Sequence, residues 1–398
     1  MNIQVIITII DVLLWLIIAA NVMYVLFFAL ASHLPKKKHH PSSISHQPSF
    51  LVLIPAYHED AVIINTVKSF LLQDYPKDLY QLCVISDHMD ATTNEQLAAL
   101  PITLIQPTFE NSSKAKALQY ATSDIRHQTS DIYDYVVILD ADNIVTTDFL
   151  SRLSHIAHPD IAIQCHRTAK NSDNDIAALD ALSEEINNSI FRKGHNRIGM
   201  SSALIGSGMC FEYNWFKANV TKLNSAVEDR ELEALLMKQG IYILYAENIH
   251  VMDEKVNSSD NFQRQRLRWM TGQIQALLQM LPYIPRAIIT RNINYIDKTI
   301  QQSLIPRSIL LVLIPILSII ATLTSYILPI PSSFFHLKWW GLLIIICLAL
   351  LAATPKSLRH LFISKNLQTL PLLVWKMLLN VTSINHKNRD FIHTTHNK

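Results

Sequence analysis

Three apolar runs and one long polar stretch set the layout of the chain. Residues 12–31 form a 20-residue run whose only strongly polar member is Asn21, the length an α-helix needs to cross a hydrocarbon core ~30 Å thick. Ala29-Leu30-Ala31 resembles a cleavage site, but a secretory leader would need a basic start and a shorter apolar core. A retained anchor is therefore expected. Two further runs, 309–328 and 339–354, come late, with Lys338 placed to snorkel at an edge. Basic residues follow the first run at Lys36-Lys37-Lys38-His39-His40 and flank the late pair at Arg307, Lys356 and Arg359. By the positive-inside rule the polar middle is cytoplasmic and the 329–336 link faces away. Residues 274–289 and 370–379 read as helices lying on the membrane face.

Within the middle, 50–54, 82–86, 102–106 and 135–139 are short apolar runs rich in β-branched or aromatic residues, with helical patterns at 61–72 and 114–121 between some of them. Further on, 161–165, 209–213 and 241–245 read as strands, and 175–190 and 228–239 as helices. Apolar strands alternating with helices predict a mostly parallel open α/β sheet covered on both faces. Asp87 and Asp140 each follow directly on a predicted strand. Open α/β sheets bind ligands at the carboxyl ends of their strands, so these two acids should meet at one edge.

Composition narrows the chemistry. Of 398 residues, 49% are hydrophobic and 17% charged, below the ~25% charged of an average soluble domain, which excludes a disordered or wholly water-soluble chain. Thirty-four Lys and Arg against 32 Asp and Glu is too even a balance to argue for nucleic acid. Only 7 glycines occur, none before Gly194, so the first half has no glycine-rich phosphate cradle. A nucleotide bound there must be held by side chains or a metal. Cys83, Cys165, Cys210 and Cys347 lie far apart with no C-x-x-C pair, which suggests neither a zinc site nor a disulfide framework.

Three groups could carry chemistry. Asp140-Ala141-Asp142 puts two carboxylates at i and i+2, on one side of an extended segment, where they would suit Mg²⁺ or Mn²⁺ bridging to a diphosphate. Glu228-Asp229 opens a predicted helix; such acids are often caps, but a carboxylate there can also be a general base. Gln265, Arg268 and Trp269 share one face of a helix expected to be capped by Ser258 or Ser259. There a guanidinium can clamp phosphate oxygens and an indole can support a sugar ring. His250 is expected to be structural rather than a metal ligand, and His393 and His396 to belong to a mobile terminus.

Taken together, these groups resemble the membrane-bound glycosyltransferases of family 2, which include the cellulose, chitin, hyaluronan and poly-N-acetylglucosamine synthases. The matching segments are Ile54-Pro55-Ala56-Tyr57-His58-Glu59, Asp87 with Asp90, Lys114-Ala115-Lys116-Ala117-Leu118, Asp140 with Asp142, Gly206-Ser207-Gly208-Met209, Glu228-Asp229, Asp253-Glu254-Lys255 and Gln265-x-x-Arg268-Trp269. Departures include Ser113 for glycine, Gln119 for asparagine and His58 for asparagine. The resemblance implies a GT-A fold, inversion at the anomeric carbon and a Mg²⁺ or Mn²⁺ cofactor. It assigns Pro55, Ala56, Glu59, Asp87, Lys114, Asp140 and Arg268 to the nucleotide-sugar donor, with UDP the expected nucleotide. Asp140 and Asp142 go to the metal, Asp229 to base catalysis, and Glu228, Gln265 and Trp269 to the acceptor.

On this reading residues 1–33 are an anchor, 34–48 a basic linker, 49–273 the cytoplasmic catalytic domain, 274–303 interfacial helices, 304–356 two spans and 357–398 an interfacial helix with a basic tail. The expected activity is polysaccharide formation at the inner face of a bacterial plasma membrane. The alternatives are transfer of one sugar to a lipid, as ceramide or diacylglycerol glucosyltransferases do, and a degenerate, non-catalytic assembly subunit. Three spans are few for a polymer channel, which leaves room for a second copy or an export partner.

Overall fold

The computed structural model describes residues 3–36, 47–128, 133–171, 174–225, 227–255, 258–327, 334–362, 376 and 379. Eight strands form one sheet: β1 (Phe50–Tyr57), β2 (Tyr80–Asp87), β3 (Thr103–Ile105), β4 (Tyr135–Ile138), β5 (Ile144–Val145), β6 (Ile161–Ala169), β7 (Met209–Glu212) and β8 (Tyr242–Asp253), in the order β3-β2-β1-β4-β7-β6-β8-β5. β1 pairs in parallel with β2 and β4, β2 with β3, and β6 with β8, while β4–β7, β6–β7 and β5–β8 are antiparallel. Along β1, Leu51 and Leu53 enter one apolar core, and Phe50, Val52 and Ile54 the other. A continuously apolar strand is what burial on both faces requires. Each strand expected from the sequence is present. β5 escaped notice because two residues carry no readable alternation.

Helices α1 (Ile3–Ala31), α2 (Ile63–Phe70), α3 (Ala91–Ala98), α4 (Lys114–Gln128), α5 (Phe149–Ser154), α6 (Asp175–Asn187), α7 (His195–Ile198), α8 (Tyr213–Asn219) and α9 (Glu228–Lys238) are followed by α10 (Ser259–Met280), α11 (Ile284–Ile289), α12 (Ile293–Ser303), α13 (Arg307–Ile327) and α14 (Phe334–Ala353). The helical stretch expected at 175–190 changes hand-over at Asn188, where a π-helical segment runs to Gly194. Residues 274–289 are not one separate interfacial helix. Their first part completes α10, whose cap is Ser258, with Asn261 N–H donating to its Oγ at 3.2 Å; a 3₁₀ turn and α11 make the rest. Residues 370–379, the linker residues 37–46 and both tail histidines fall almost wholly outside the described residues.

Three helices, Gln4–Ala31, Arg307–Ile327 and Phe335–Ala353, are long and apolar enough to cross a membrane. α1 reaches back beyond the expected start and so includes Asp11, which ion-pairs with Lys338 of α14 and accepts a hydrogen bond from Trp339 Nε1 at 2.8 Å. Lys338 therefore does not snorkel; it is buried against its partner. The same helices pack on the α/β fold. Val22, Val25 and Phe28 of α1 share a core with Ala178, Leu182 and Ile186 of α6, Leu310 and Ile314 of α13, and Ile346 of α14. The approach is closest at Gly194, where a Cβ would stand 2.3 Å from the Phe28 carbonyl oxygen. Phe28 also stacks on the buried His195 ring at 3.6 Å. His195 Nδ1 meets the Ile190 carbonyl at 2.8 Å, so Nε2 is left to accept from Gln301 Nε2 at 3.0 Å. Tyr24 of α1 donates to Asp297 of α12 at 2.6 Å beside it.

Candidate functional site

The register Tyr57↔Asp87 in the β1–β2 pair and Leu53↔Ile138 in the β1–β4 pair brings the carboxyl ends of three parallel strands to one edge. Asp87 is the last residue of β2 and Asp140 lies two residues beyond β4. A cavity of about 550 Å³ opens there. Pro55, Ala56, Glu59, Asp87, Lys114, Asp140, Asp142, Glu228, Asp229, Gln265, Arg268 and Trp269, separated by up to 214 positions in the chain, all line it. Immediately after β1 and β2, His58 (φ 52°) and His88 (φ 55°) hold left-handed backbone conformations. Asparagine tolerates that region better than histidine, which gives the departure at position 58 a local cost. His88 Nδ1 lies 2.6 Å from Asp87 Oδ1.

The Asp-x-Asp segment differs from expectation in shape. It is a turn, closed by Asn143 N–H donating to the Asp140 carbonyl at 3.1 Å, not an extended stretch. Both carboxylates still face the cavity, but their surroundings differ. Asp142 is 7% exposed and accepts from the Glu254 N–H at 2.8 Å and from Asn143 Nδ2 at 3.1 Å. Asp140 pairs with Lys114 Nζ at 2.5 Å. Burial works to raise the Asp140 carboxyl, yet Lys114 outweighs it and the net direction is down. Lys114 also donates to the Gly206 carbonyl at 2.6 Å and lies 3.5 Å from Glu228. Its ammonium therefore ties the turn after β4 to the start of α9.

At that start, burial pushes Glu228 up to about 7, against the pull of Lys114 and with the push of Asp229. Asp229 is half-buried, and its Oδ1 accepts the Arg230 N–H at 2.8 Å. Gly206 (φ 81°) passes close by: a Cβ there would be 3.8 Å from Asp229 Oδ2. Gly208 (φ 64°) is tighter, since its Cβ would meet Val251 Cγ2 at 2.9 Å. The Gly206-Ser207-Gly208 loop thus needs glycine for backbone hand at both positions and for space at the second.

α10 supplies the opposite wall. Burial lowers the Arg268 guanidinium, which faces the opposing charges of Glu228, Asp140 and Asp229. Trp269 lies under the Arg266 guanidinium, 4.3 Å from its ring centroid, and the buried Gln265 Oε1 has no hydrogen-bond partner among the described residues. Gly272, one turn on, leaves room for Val227: a Cβ at Gly272 would sit 2.3 Å from Val227 Cγ1.

The sequence reading missed a buried charge lattice behind the site. Arg167 of β6 bonds Glu184 of α6 at 2.8 Å and lies 3.4 Å from Asp253 of β8, while Lys255 pairs with both acids. Asp253 is pushed up to about 7, first by burial, with Glu184 and Asp142 adding to the push. Only the Asp253-Glu254-Lys255 run had a sequence signal; Arg167 and Glu184 sit in unremarkable strand and helix patterns. His250 packs beside His166 at 4.8 Å and is not among the cavity residues.

Asp140 and Asp142 give the cavity hard oxygen donors, whereas both carboxylate oxygens of Asp253 face cations, Oδ1 with Lys255 Nζ at 2.7 Å and Oδ2 with Arg167 Nε at 3.4 Å. That set fits Mg²⁺ or Mn²⁺. Among the described residues no cluster of three or more His, Cys, Asp or Glu could hold a metal unaided, so phosphate oxygens would complete the shell.

A mixed sheet with acids at one carboxyl edge and a polar helix across from them is the GT-A-like arrangement of nucleotide-sugar transferases. The chain belongs to glycosyltransferase family 2: residues 47–272 match the family model described as "Glycosyltransferase like family 2". The fold is shared with the mannosyltransferase PcManGT from Pyrobaculum calidifontis in complex with GDP-Man and Mn²⁺, at 14% identity, 92% of this chain, 95% of that chain and a TM-score of 0.55. More distant are S. aureus TarS 1–349 (13% identity, 84% and 90% covered, TM-score 0.41) and the glucosyl-3-phosphoglycerate synthase of Mycobacterium tuberculosis with Mn²⁺ and UDP (17%, 56% and 80%, 0.37). No curated protein sequence matches the chain.

Proposed function

We propose that this family 2 glycosyltransferase is an inverting, metal-dependent hexosyltransferase that takes its sugar from a UDP-linked donor and passes it to an acceptor held at the cytoplasmic face of the membrane. The observation that carries this reading is the single cavity in which Asp87, Asp140, Asp142, Asp229 and Arg268 converge. Asp87 and the Pro55-Ala56 strand end would hold the nucleoside. Asp229 takes the proton of the acceptor hydroxyl, and that oxygen attacks the anomeric carbon from the face opposite the diphosphate. The bond from that carbon to the diphosphate oxygen breaks, and the nucleoside diphosphate leaves with the electron pair. Arg268 stabilises the departing charge from a fixed position, a contribution that grows in a site from which water is excluded. Asp142, with Asp140, would hold the cation, which when bound supplies further positive charge at the diphosphate.

The same cavity supports a lipid-anchored acceptor over a free growing polysaccharide, because Asn21 and Val25 of α1, Leu311 of α13 and Leu350 of α14 also line it. The test is the full chain in detergent with Mn²⁺ or Mg²⁺ and a panel of nucleotide sugars, following nucleotide release and product together. Metal-dependent release from one donor is expected. Asp229→Asn should lower transfer by about 10²–10⁴-fold, the usual worth of general-base help, with donor binding retained. A loss below tenfold would reduce Asp229 to a helix cap.

A further inference from the structure

Charges buried without counter-charges are costly unless something else neutralises them. Most cations around the cavity have their partner: Lys114 has Asp140, Arg167 has Glu184, Lys255 has Glu184 and Asp253, and Arg266 has Asp180. Arg192 and Arg307 do not. Among the described residues neither makes an ion pair. Arg192 donates to Asn188 Oδ1 at 2.9 Å, and Arg307 to the Ser183 carbonyl at 3.1 Å and Asn187 Oδ1 at 2.6 Å. Arg192 is 4% exposed, with its Nε unpartnered, and the Nε of Arg266 is unpartnered too. Burial pushes the Arg192 guanidinium down, the sign of a cation short of compensation. All three guanidiniums line the cavity.

Their position is distinct from the donor end. Arg268 feels Glu228, Asp140 and Asp229, whereas Arg307 opens α13 and is held on the α6 face that carries Ser183 and Asn187. Next to it the lining turns apolar: Leu182 and Ile186 of α6, Val25 of α1, Leu311 of α13 and Leu350 of α14. An anion-hungry pair thus lines one cavity together with Asp229 and with apolar residues of α1, α13 and α14.

We propose that Arg192 and Arg307 form an anion subsite for the phosphate of a phosphorylated membrane lipid, so that the acceptor is a lipid-phosphate-linked molecule. Its apolar chain leaves between α1, α13 and α14, and its hydroxyl-bearing end reaches Asp229. The phosphate is a handle and takes no part in bond making. This rests on the acceptor reading above and adds to it the group that is recognised.

The test titrates the full chain in detergent with farnesyl phosphate, farnesol or inorganic phosphate, following the melting temperature by intrinsic fluorescence, with UDP and Mn²⁺ as a separate arm. Farnesyl phosphate should bind at least about tenfold more tightly than either other probe, because only it offers both charge and chain. Arg307→Gln and Arg192→Gln should each weaken it about tenfold or more while the ligand-free chain melts no lower than the parent. Arg307→Lys, which keeps the charge and loses the fork, should fall between. Equal binding of farnesol overturns the phosphate site, and equal binding of inorganic phosphate overturns the lipid. A variant whose free and loaded melting temperatures fall together marks a purely structural arginine and overturns the proposal. Failure of UDP with Mn²⁺ to shift melting, with farnesyl phosphate still bound, would sink the donor reading and leave this subsite standing.

Discussion

Glu228 shows what a single buried carboxylate does at this site. Its folded-state pKa is raised from 4.5 to about 7, so the folded chain holds a proton that the unfolded chain releases. Its contribution to stability is complete below the ordinary glutamate range and is lost as pH rises through about 7. In metal- and donor-free protein, melting temperatures from about pH 5 to about pH 8 should therefore fall more for the parent than for Glu228→Gln, which stays neutral throughout. Parallel profiles would show that Lys114 holds Glu228 ionised. At this scale the sequence was most legible where chemistry is written in residue type. The acids, Lys114 and the Gln265–Trp269 face could be singled out because each motif keeps fixed spacing along one element. Arg192 and Arg307 could not, because nothing local distinguishes an arginine that lacks a partner from one that has it; that depends on which helix, here α6, lies opposite.

At the scale of elements, the meeting of α10 with the approach to α9 governs the placement of Asp229, the proposed base. Val227 precedes Glu228 and fills the space that Gly272 leaves empty. Gly272→Ala should cost about 1–3 kcal/mol through overpacking and displace the start of α9, lowering transfer more than UDP binding. Val227→Ala in the same chain should restore transfer, since it returns the space; a double variant no better than the single one would show that the harm lies elsewhere. Strand positions were readable because two-sided burial demands continuous apolar runs. The boundaries of α10 were not, because residues 274–280 carry an apolar face whether the helix ends on lipid or on the buried residues of α12.

For the whole molecule, the three long apolar helices and the α/β fold pack on one another, and the Asp11–Lys338 pair shows how α1 and α14 find each other. A lone ion inside an apolar helix is expensive, so each of these residues makes sense only with the other. Asp11→Lys or Lys338→Asp alone should sharply reduce the yield of folded protein, and the two together should recover much of it; no recovery would mean that the surroundings, not the pair, set the requirement. This pairing was hidden because the two residues lie 327 positions apart, in runs that each looked sufficient by themselves.

Because α1, α13 and α14, the three helices long and apolar enough to cross a membrane, line the cavity, the proposed placement in a membrane makes bilayer thickness a variable of the enzyme. Spans that are too long or too short for their surroundings tilt, and tilting here shifts Asn21, Val25, Leu311 and Leu350 relative to Asp229. Reconstituted into vesicles of short-, medium- and long-chain phosphatidylcholine, the protein should show a transfer rate that peaks at one thickness, while UDP binding at the far end of the cavity stays level. A transfer rate independent of chain length would mean that the spans hold their packing whatever surrounds them.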